Sequence, residues 1–452
     1  MTGSRAVGPL VLVVGAGPAG LFTAQALADR GIETVLLNRD IRPGGLAEYG
    51  IYHSKHKVKL GLRTQFTKIL TAPQVTYYGN VTVGDAGDLT LDQLLGMGFA
   101  AVVIAVGAQG TKWLELPGEH LTGVYHAKDL IYYYNGLPPF SEWCFEIGKR
   151  VALIGVGNVM ADIARWLVRE LTVDEVIAVA RRGPAEVKFT KQEAAHFAAN
   201  LDVAALDAEF VRVRERMEAV NQDPEAAKAF IMSTLPIADA RVSDTRVALR
   251  FLAAPSRILG DDLGRVAGLE VEDTALALSS EGDTRAQRLG THHVLDVDTV
   301  VFCIGDRVSE DFGLPVKWFS FVKHPRPRYP IDGISYEAYN PDADDALSNV
   351  FLVGWARKAS EGQVGLARKD ARACVEAVAA HLATRALAVP SDSVRATLEA
   401  ALARTGKPVV KTEDVLRLLK VEAREGDSRG DPGFRYKTNA EMLAAIGLDV
   451  EV

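Results

Sequence analysis

The chain has 452 residues, 48% of them hydrophobic and 24% charged, with a formal net charge of -7. That length implies about two to four domains, and the composition is that of a globular chain able to bury a sizeable core. The acidic balance argues against nucleic acid as a bulk partner, and no stretch reaches the ~18 apolar residues of a membrane-spanning helix.

The first element is the strand Leu10–Val14, five apolar residues that read as a buried parallel strand. Gly15, Gly17 and Gly20 follow in a G-x-G-x-x-G pattern where a helix opens. The first glycine permits the tight turn, the second lets backbone approach a pyrophosphate, and the third lets the helix pack close to the sheet. Free N–H groups and the helix dipole then favour an anion at that end, and Pro18 is compatible because its missing N–H is not needed there. A helical pattern runs over Leu21–Arg30, and a second strand is predicted at Glu33–Leu37. Leu10–Leu27 has the look of a signal-peptide core, but its glycines and Pro18 belong to the nucleotide motif and a strand follows directly.

Asn38 closes the second strand, where an acid usually bonds the adenosine ribose, so a weaker, uncharged ribose contact is expected. The loop Arg42–Gly50 carries three glycines and can run close along a flat ligand. His53–Lys59 (HSKHKVK) reads either as a basic collar near a redox centre or as a solvated helix start. A strand at Val102–Val106 ends in Gly107-Ala108-Gln109, and Glu115–Glu119 is a turn and an expected crossing between domains.

A second nucleotide unit begins at Val151. Gly155 and Gly157 lead through Asn158 and Val159 into a helix over Ala161–Glu170, with Met160 where the motif usually has Gly or Ala. The next strand, Val176–Ala180, ends in Arg181-Arg182, 26 residues beyond Gly155. An acid there would select the free ribose hydroxyl of NAD; arginine matches a 2′-phosphate in charge and bidentate geometry. Beyond it a helix is expected over Ala205–Val220, with strands at Arg246–Leu252, Val266–Val271, Ala275–Leu278 and Thr299–Ile304. Lys323–Pro330 reads as a linker or surface arm, and Val350–Trp355 as a strand. A turn at Glu361–Gly365 and a helix from Leu366 to about Leu382 follow, then helices near Ser393–Arg404, Thr412–Val421 and Asn439–Ile446.

Two dinucleotide sites, the second selective for phosphate, imply a bound FAD and an exchanging NADPH, with hydride passing to the flavin and electrons leaving singly. The three cysteines, Cys144, Cys303 and Cys374, lie far apart without a C-x-x-C. This excludes a redox dithiol and an iron–sulfur run, so no metal site is expected. It also points to buried thiols in a reducing, cytoplasmic compartment.

The sequence resembles the adrenodoxin reductase-type ferredoxin–NADP reductases, within the glutathione reductase-like flavoproteins and near the glutamate synthase small subunit. VVGAGPAG, PGGL before YGI, YYGNVTVG, AVGAQ, GVGNVMADIAR, ARRGP with KFT, and VGWARK…EGQVGLARKDA carry the resemblance, over about Pro9–Leu382. It implies an α/β fold of two Rossmann-like domains, the NADP domain (108–322) inserted in a split FAD domain (1–107 and 323–385), with a mainly helical extension at 386–452. The FAD contacts it implies are Gly15, Gly17, Pro18, Ala19, Gly20, Asn38, Arg39, Gly45, Leu46, Gly107, Gly354, Trp355, Gln363, Val364 and Gly365. In particular, Trp355 is expected near the nicotinamide face and Val364 to act through its backbone N–H. The NADP contacts it implies are Gly155, Gly157, Asn158, Val159, Arg181, Arg182 and Glu193.

The family's histidine near the flavin aligns with Lys55, and the acid that accompanies it with His196. No general acid or base is therefore assigned; Lys55, His56, Glu193, His196 and Trp355 are the catalytic candidates. The leading expectation is an NADPH-dependent reductase of a ferredoxin-like or flavodoxin-like carrier, docking on Lys55, Lys57, Lys323, Arg326 and Arg328. The alternatives are a flavoprotein subunit of a larger complex, a non-catalytic nucleotide-binding scaffold, and a quinone reductase.

Overall fold

The computed structural model describes residues 8–278, 284–359, 364–384 and 389–448. These form two compact units: one from residues up to 111, 132–142 and 306 onward, the other from 112–131 and 143–305.

The first unit is built on a six-stranded sheet with Leu10–Val14 inside it. Parallel neighbours are Glu33–Leu37 on one side, followed by Val75–Tyr78, and Ala101–Ile104 on the other, followed by Asp345–Leu352. Glu337–Asn340 closes that edge antiparallel to Asp345–Leu352. All five residues of Leu10–Val14 are buried, as a parallel strand covered on both faces requires. Val11 and Val13 enter one apolar core with the helix Pro18–Ala28 and the helix Val364–Ala383. Leu10, Leu12 and Val14 enter the opposite core.

The C-terminal helices lie within these cores. Ser391–Ala403 places Val394, Leu398, Ala401 and Leu402 in the second core, while Thr412–Arg429 and Asn439–Ile446 place Val415, Leu418, Met442 and Ile446 in the first. The helix expected to end at Val421 runs on to Arg429. Its polar last turns are retained because Glu422 is buried among partners and Gly426 leaves room for the returning chain; a Cβ on Gly426 would meet the Asp431 carbonyl at 2.5 Å.

The second unit has a five-stranded parallel sheet in the order Val124–His126, Thr299–Phe302, Arg150–Ile154, Glu175–Val179, Arg246–Arg250. An antiparallel meander, Ala253–Gly260, Val266–Leu278 and Thr284–Leu295, accompanies it. The two strands expected at 266–271 and 275–278 are one continuous strand. The polar residues that interrupt the apolar run are matched side by side. Glu272 receives Arg288, Asp273 receives Arg216, and the Thr274 hydroxyl donates to the Arg181 carbonyl. Among the described residues, no helix is long and apolar enough to cross a membrane.

Candidate functional site

In the first unit, three loops converge on the N-terminus of the helix Pro18–Ala28, at the carboxyl ends of the parallel strands. Gly15 turns the chain with φ of 104°, and a Cβ there would lie 2.6 Å from the Ala105 carbonyl oxygen. A Cβ on Gly20 would lie 1.8 Å from the Gly15 oxygen, so only glycine lets the helix sit this close to the turn. Gly17 differs: its Cβ position meets nothing nearer than the Cα of Gly45 at 4.0 Å, and no side chain caps the helix it begins. An open cradle over uncapped N–H groups is what a pyrophosphate needs. Ala19 is buried in the first turn and Pro18 opens it.

The second loop is held through Asn38. Its Oδ1 accepts the N–H of Ala16 at 3.1 Å, while its Nδ2 donates to the carbonyls of Asp40 and Arg42 and to the Tyr77 hydroxyl. Asn38 thus ties the glycine turn to the following loop, where a ribose contact was expected. Gly44 donates to the Ala16 carbonyl at 2.7 Å, and Gly45 adopts φ of 48° at the N-terminus of the short helix Leu46–Tyr49. Arg39 pairs with Asp40 and donates to Gln109, just past Gly107, which has φ of 72°.

The third loop is Gly354–Ala356, carrying the half-buried Trp355. Asp370 fixes it: its carboxylate accepts the Gly354 N–H at 2.6 Å, the Arg357 guanidinium at 2.6 Å and the Tyr336 hydroxyl at 3.0 Å. The helix expected from Leu366 is already formed at Val364. Gln363 and the start of the turn from Glu361 lie outside the described residues.

The lysine and histidine candidates divide. Lys55 is the N-cap residue of the helix His56–Leu70, and His56 and Lys57 are exposed, as a solvated helix start would have them. Lys59 is buried instead; burial pushes its ammonium down to about 8, and it donates to Asn135 at 2.7 Å. Two cations of the expected docking face also have partners within the fold. Lys323 donates to the Arg357 carbonyl, and Arg328 is locked to the fully buried Glu337. Arg326 and Arg328 are both exposed. Cys303 and Cys374 are buried, and burial pushes both thiols up, whereas Cys144 is exposed, against the expectation of buried thiols.

In the second unit the construction repeats. Gly155 has φ of 120°, and a Cβ there would meet the Cys303 carbonyl oxygen at 2.6 Å. Gly157 begins the helix Asn158–Trp166 without a side-chain cap. Asn158 accepts the Thr190 N–H at 2.8 Å, Val159 is exposed, and Met160 is fully buried. The loop after the arginines folds back on this turn: the Lys188 N–H donates to the Val156 carbonyl, and its Cβ stands 4.0 Å from the Cβ position of Gly157. Lys188, within KFT, thus brings its backbone and Cβ to the second glycine turn. Arg181 is exposed, and Arg182 lies 3.9 Å from Glu186.

Glu193 and His196 share the helix Lys191–Ala198, 3.7 Å apart, and His196 bonds Asp239 at 2.9 Å. Burial works to raise the Asp239 carboxyl, but the His196 hydrogen bond and the nearby Arg169 hold it below its ordinary value. Asp239, like Asp370, escaped sequence reading because an isolated acid carries no local signal.

A family model described as "Pyridine nucleotide-disulphide oxidoreductase" matches residues 9–320. Among curated relatives, the "NADPH:adrenodoxin oxidoreductase, mitochondrial" of Salvelinus fontinalis is 27% identical over 98% of this chain and 92% of its own length. The "NADPH-ferredoxin reductase FprA" of Mycobacterium leprae is 26% identical over 96% and 97%. Among solved structures, Mycobacterium tuberculosis FprA in complex with NADPH superposes with a TM-score of 0.79 at 25% identity, over 97% of this chain and 99% of that one. The resemblance read from motifs stopped near Leu382. Matches over 96–98% of the chain run well into the C-terminal extension, which these relatives therefore share.

Proposed function

The chain belongs to the pyridine nucleotide-disulphide oxidoreductase family, and from that premise we propose that it is an FAD-dependent NADPH reductase of a ferredoxin-like electron carrier. We further propose that FAD occupies the first unit, NADPH the second, and that the protein works in a reducing, cytoplasmic setting. The observation that carries this is the repetition of one device in two units, a glycine turn at an uncapped helix N-terminus, with Arg181, Arg182 and Lys188 after it in the second, where the first has Asn38 and arginines already paired with Asp40 and Glu422.

Gly15, Gly17, Gly20 and Gly45 give the first cofactor's phosphates a backbone cradle, and the Gly354–Ala356 turn with the Val364 N–H meets its ring system. When bound, FAD supplies the change from two-electron to one-electron transfer. In the second unit, Gly157 and Lys188 face the pyrophosphate, and Arg181 and Arg182 take the 2′-phosphate. The thiols play no part in this reading: two are buried and the third stands alone, so electrons leave without a disulfide relay.

The test is anaerobic. The purified protein is mixed with NADPH and, separately, NADH, and bleaching of the flavin absorbance is followed; oxidised ferredoxin and cytochrome c are then added. Rapid bleaching by NADPH and ferredoxin-dependent cytochrome reduction support the proposal. Bleaching without ferredoxin dependence replaces the carrier with a small-molecule acceptor or a complex partner, and no bleaching by either nucleotide ends the enzyme reading.

A further inference from the structure

We propose that the C-terminal extension is a brace for the cofactor loop, with Glu422 as a positioning residue acting through Arg42. The inference rests on the assignment of FAD to the first unit.

Glu422 lies on the helix Thr412–Arg429 and is fully buried. Its carboxylate receives the Arg42 guanidinium and, at 3.1 Å, the Tyr436 N–H, with Arg435 Nε at 3.5 Å. Arg42 also donates to the Tyr436 carbonyl at 3.0 Å. The Arg42 backbone in turn accepts from Asn38 Nδ2 at 3.1 Å, and Asn38 holds the N–H of Ala16 in the middle of the glycine turn. A carboxylate 380 residues away in sequence from Arg42 is thus only a few contacts from the phosphate cradle.

The chemistry of the contact fits a positioning role. A buried Arg–Glu pair gives less stability than an apolar pair of the same volume, but it defines one geometry. The loop needs such an anchor: Gly44 and Gly45 both have positive φ, and glycine backbone has little stiffness of its own. Apolar contacts alone would bury the loop without fixing where Gly45 stands against Gly17. Preorganising it removes an ordering cost that cofactor binding would otherwise meet.

The test uses the full-length holoprotein and two variants, Glu422→Gln and the double variant Arg42→Met/Glu422→Leu. The double variant replaces the pair with apolar groups and keeps the chain folded should the single one fail. FAD release on dilution is read from free-flavin fluorescence, and adenosine 2′,5′-bisphosphate binding to the second unit by calorimetry. The expected result is release increased by about tenfold in the double variant and a shifted visible spectrum in the flavin that remains. The bisphosphate affinity should match the parent. FAD retention within about twofold of the parent, or a loss shared equally by the bisphosphate site, overturns the proposal. A parent protein that takes up no FAD overturns the site assignment itself.

Discussion

A Cβ placed on Gly354 stands 2.6 Å from the Cβ of Ala19, and the backbone at Gly354 has φ of 64°. The turn carrying Trp355 therefore rests directly on the first turn of the helix Pro18–Ala28.

Gly354→Ala meets two obstacles. A non-glycine residue in this backbone region costs about 1–2 kcal/mol, and the Ala19 methyl cannot rotate away. The turn must lift from the helix. The expected outcome is a folded protein that loses FAD on gel filtration, measured as the ratio of flavin to protein absorbance. Full retention would remove this turn from the site.

Arg181→Ala/Arg182→Ala tests cofactor choice. Charge-assisted hydrogen bonds contribute about 1.5–3 kcal/mol each, so loss of both arginines should raise the KM for NADPH by more than about 100-fold while that for NADH stays within about twofold. Lys188→Ala should raise both KM values together, because it faces the phosphate turn that both nucleotides share. Equal losses for the two nucleotides in the arginine variant would end the 2′-phosphate assignment.

Asn38→Asp asks why an amide stands where an acid is usual. The Nδ2 donates to two backbone carbonyls, and an ionised carboxylate would point lone pairs at both. Loss of these bonds and desolvation of the new charge should cost about 1–3 kcal/mol. Among carbonyls, the new acid's pKa is raised in the folded state. Stability is then present below the ordinary carboxylate range and lost as pH rises through the folded value. Urea unfolding at pH 5 and pH 8 reads this; a variant that gains on the parent as pH rises would contradict it.

What the sequence made legible was local. The strand Glu33–Leu37 and the helix Asn439–Ile446 have the bounds that apolar runs and turn residues indicate. The three glycine roles follow from spacing over six residues. What stayed hidden depends on partners far along the chain. Asn38 shows in the sequence only as a candidate ligand contact; its bonds to Ala16, Arg42 and Tyr77 depend on the fold. Lys323 and Arg328 read as a basic surface; that they also hold the Arg357 carbonyl and the buried Glu337 depends on residues elsewhere in the chain. Val266–Leu278 reads as two strands because charges facing a partner element look like a break. Glu422 reads as one more acid on a polar helix.

His126 supplies a pH prediction for the second unit. Burial, with Lys128 nearby, pushes its imidazole down to about 4 from an ordinary 6.5. The unfolded chain therefore binds more protons between these values, and the neutral histidine's contribution to stability is lost as pH falls from about 6.5 toward 4. His126→Asn, which retains an acceptor for the Lys128 N–H, should flatten that slope. Trp113, with its ring centroid 6.0 Å from that of His126, is a local fluorescence reporter for urea midpoints at pH 7 and pH 5. An unchanged slope would place the titration elsewhere.

The strand Asp345–Leu352 pairs with Ala101–Ile104, although most of the second unit lies between them in the chain. The consequence is an order of assembly on the ribosome. Residues 143–305 emerge as an almost complete unit with its own sheet and can close at once. The strand at 101–104 must wait with one edge unpaired until residue 352 has been made, and Arg42 waits still longer for Glu422. Such non-local pairing is slow and leaves a sheet edge open to other chains. The early-synthesised nucleotide turn is therefore the last part of the molecule to be finished.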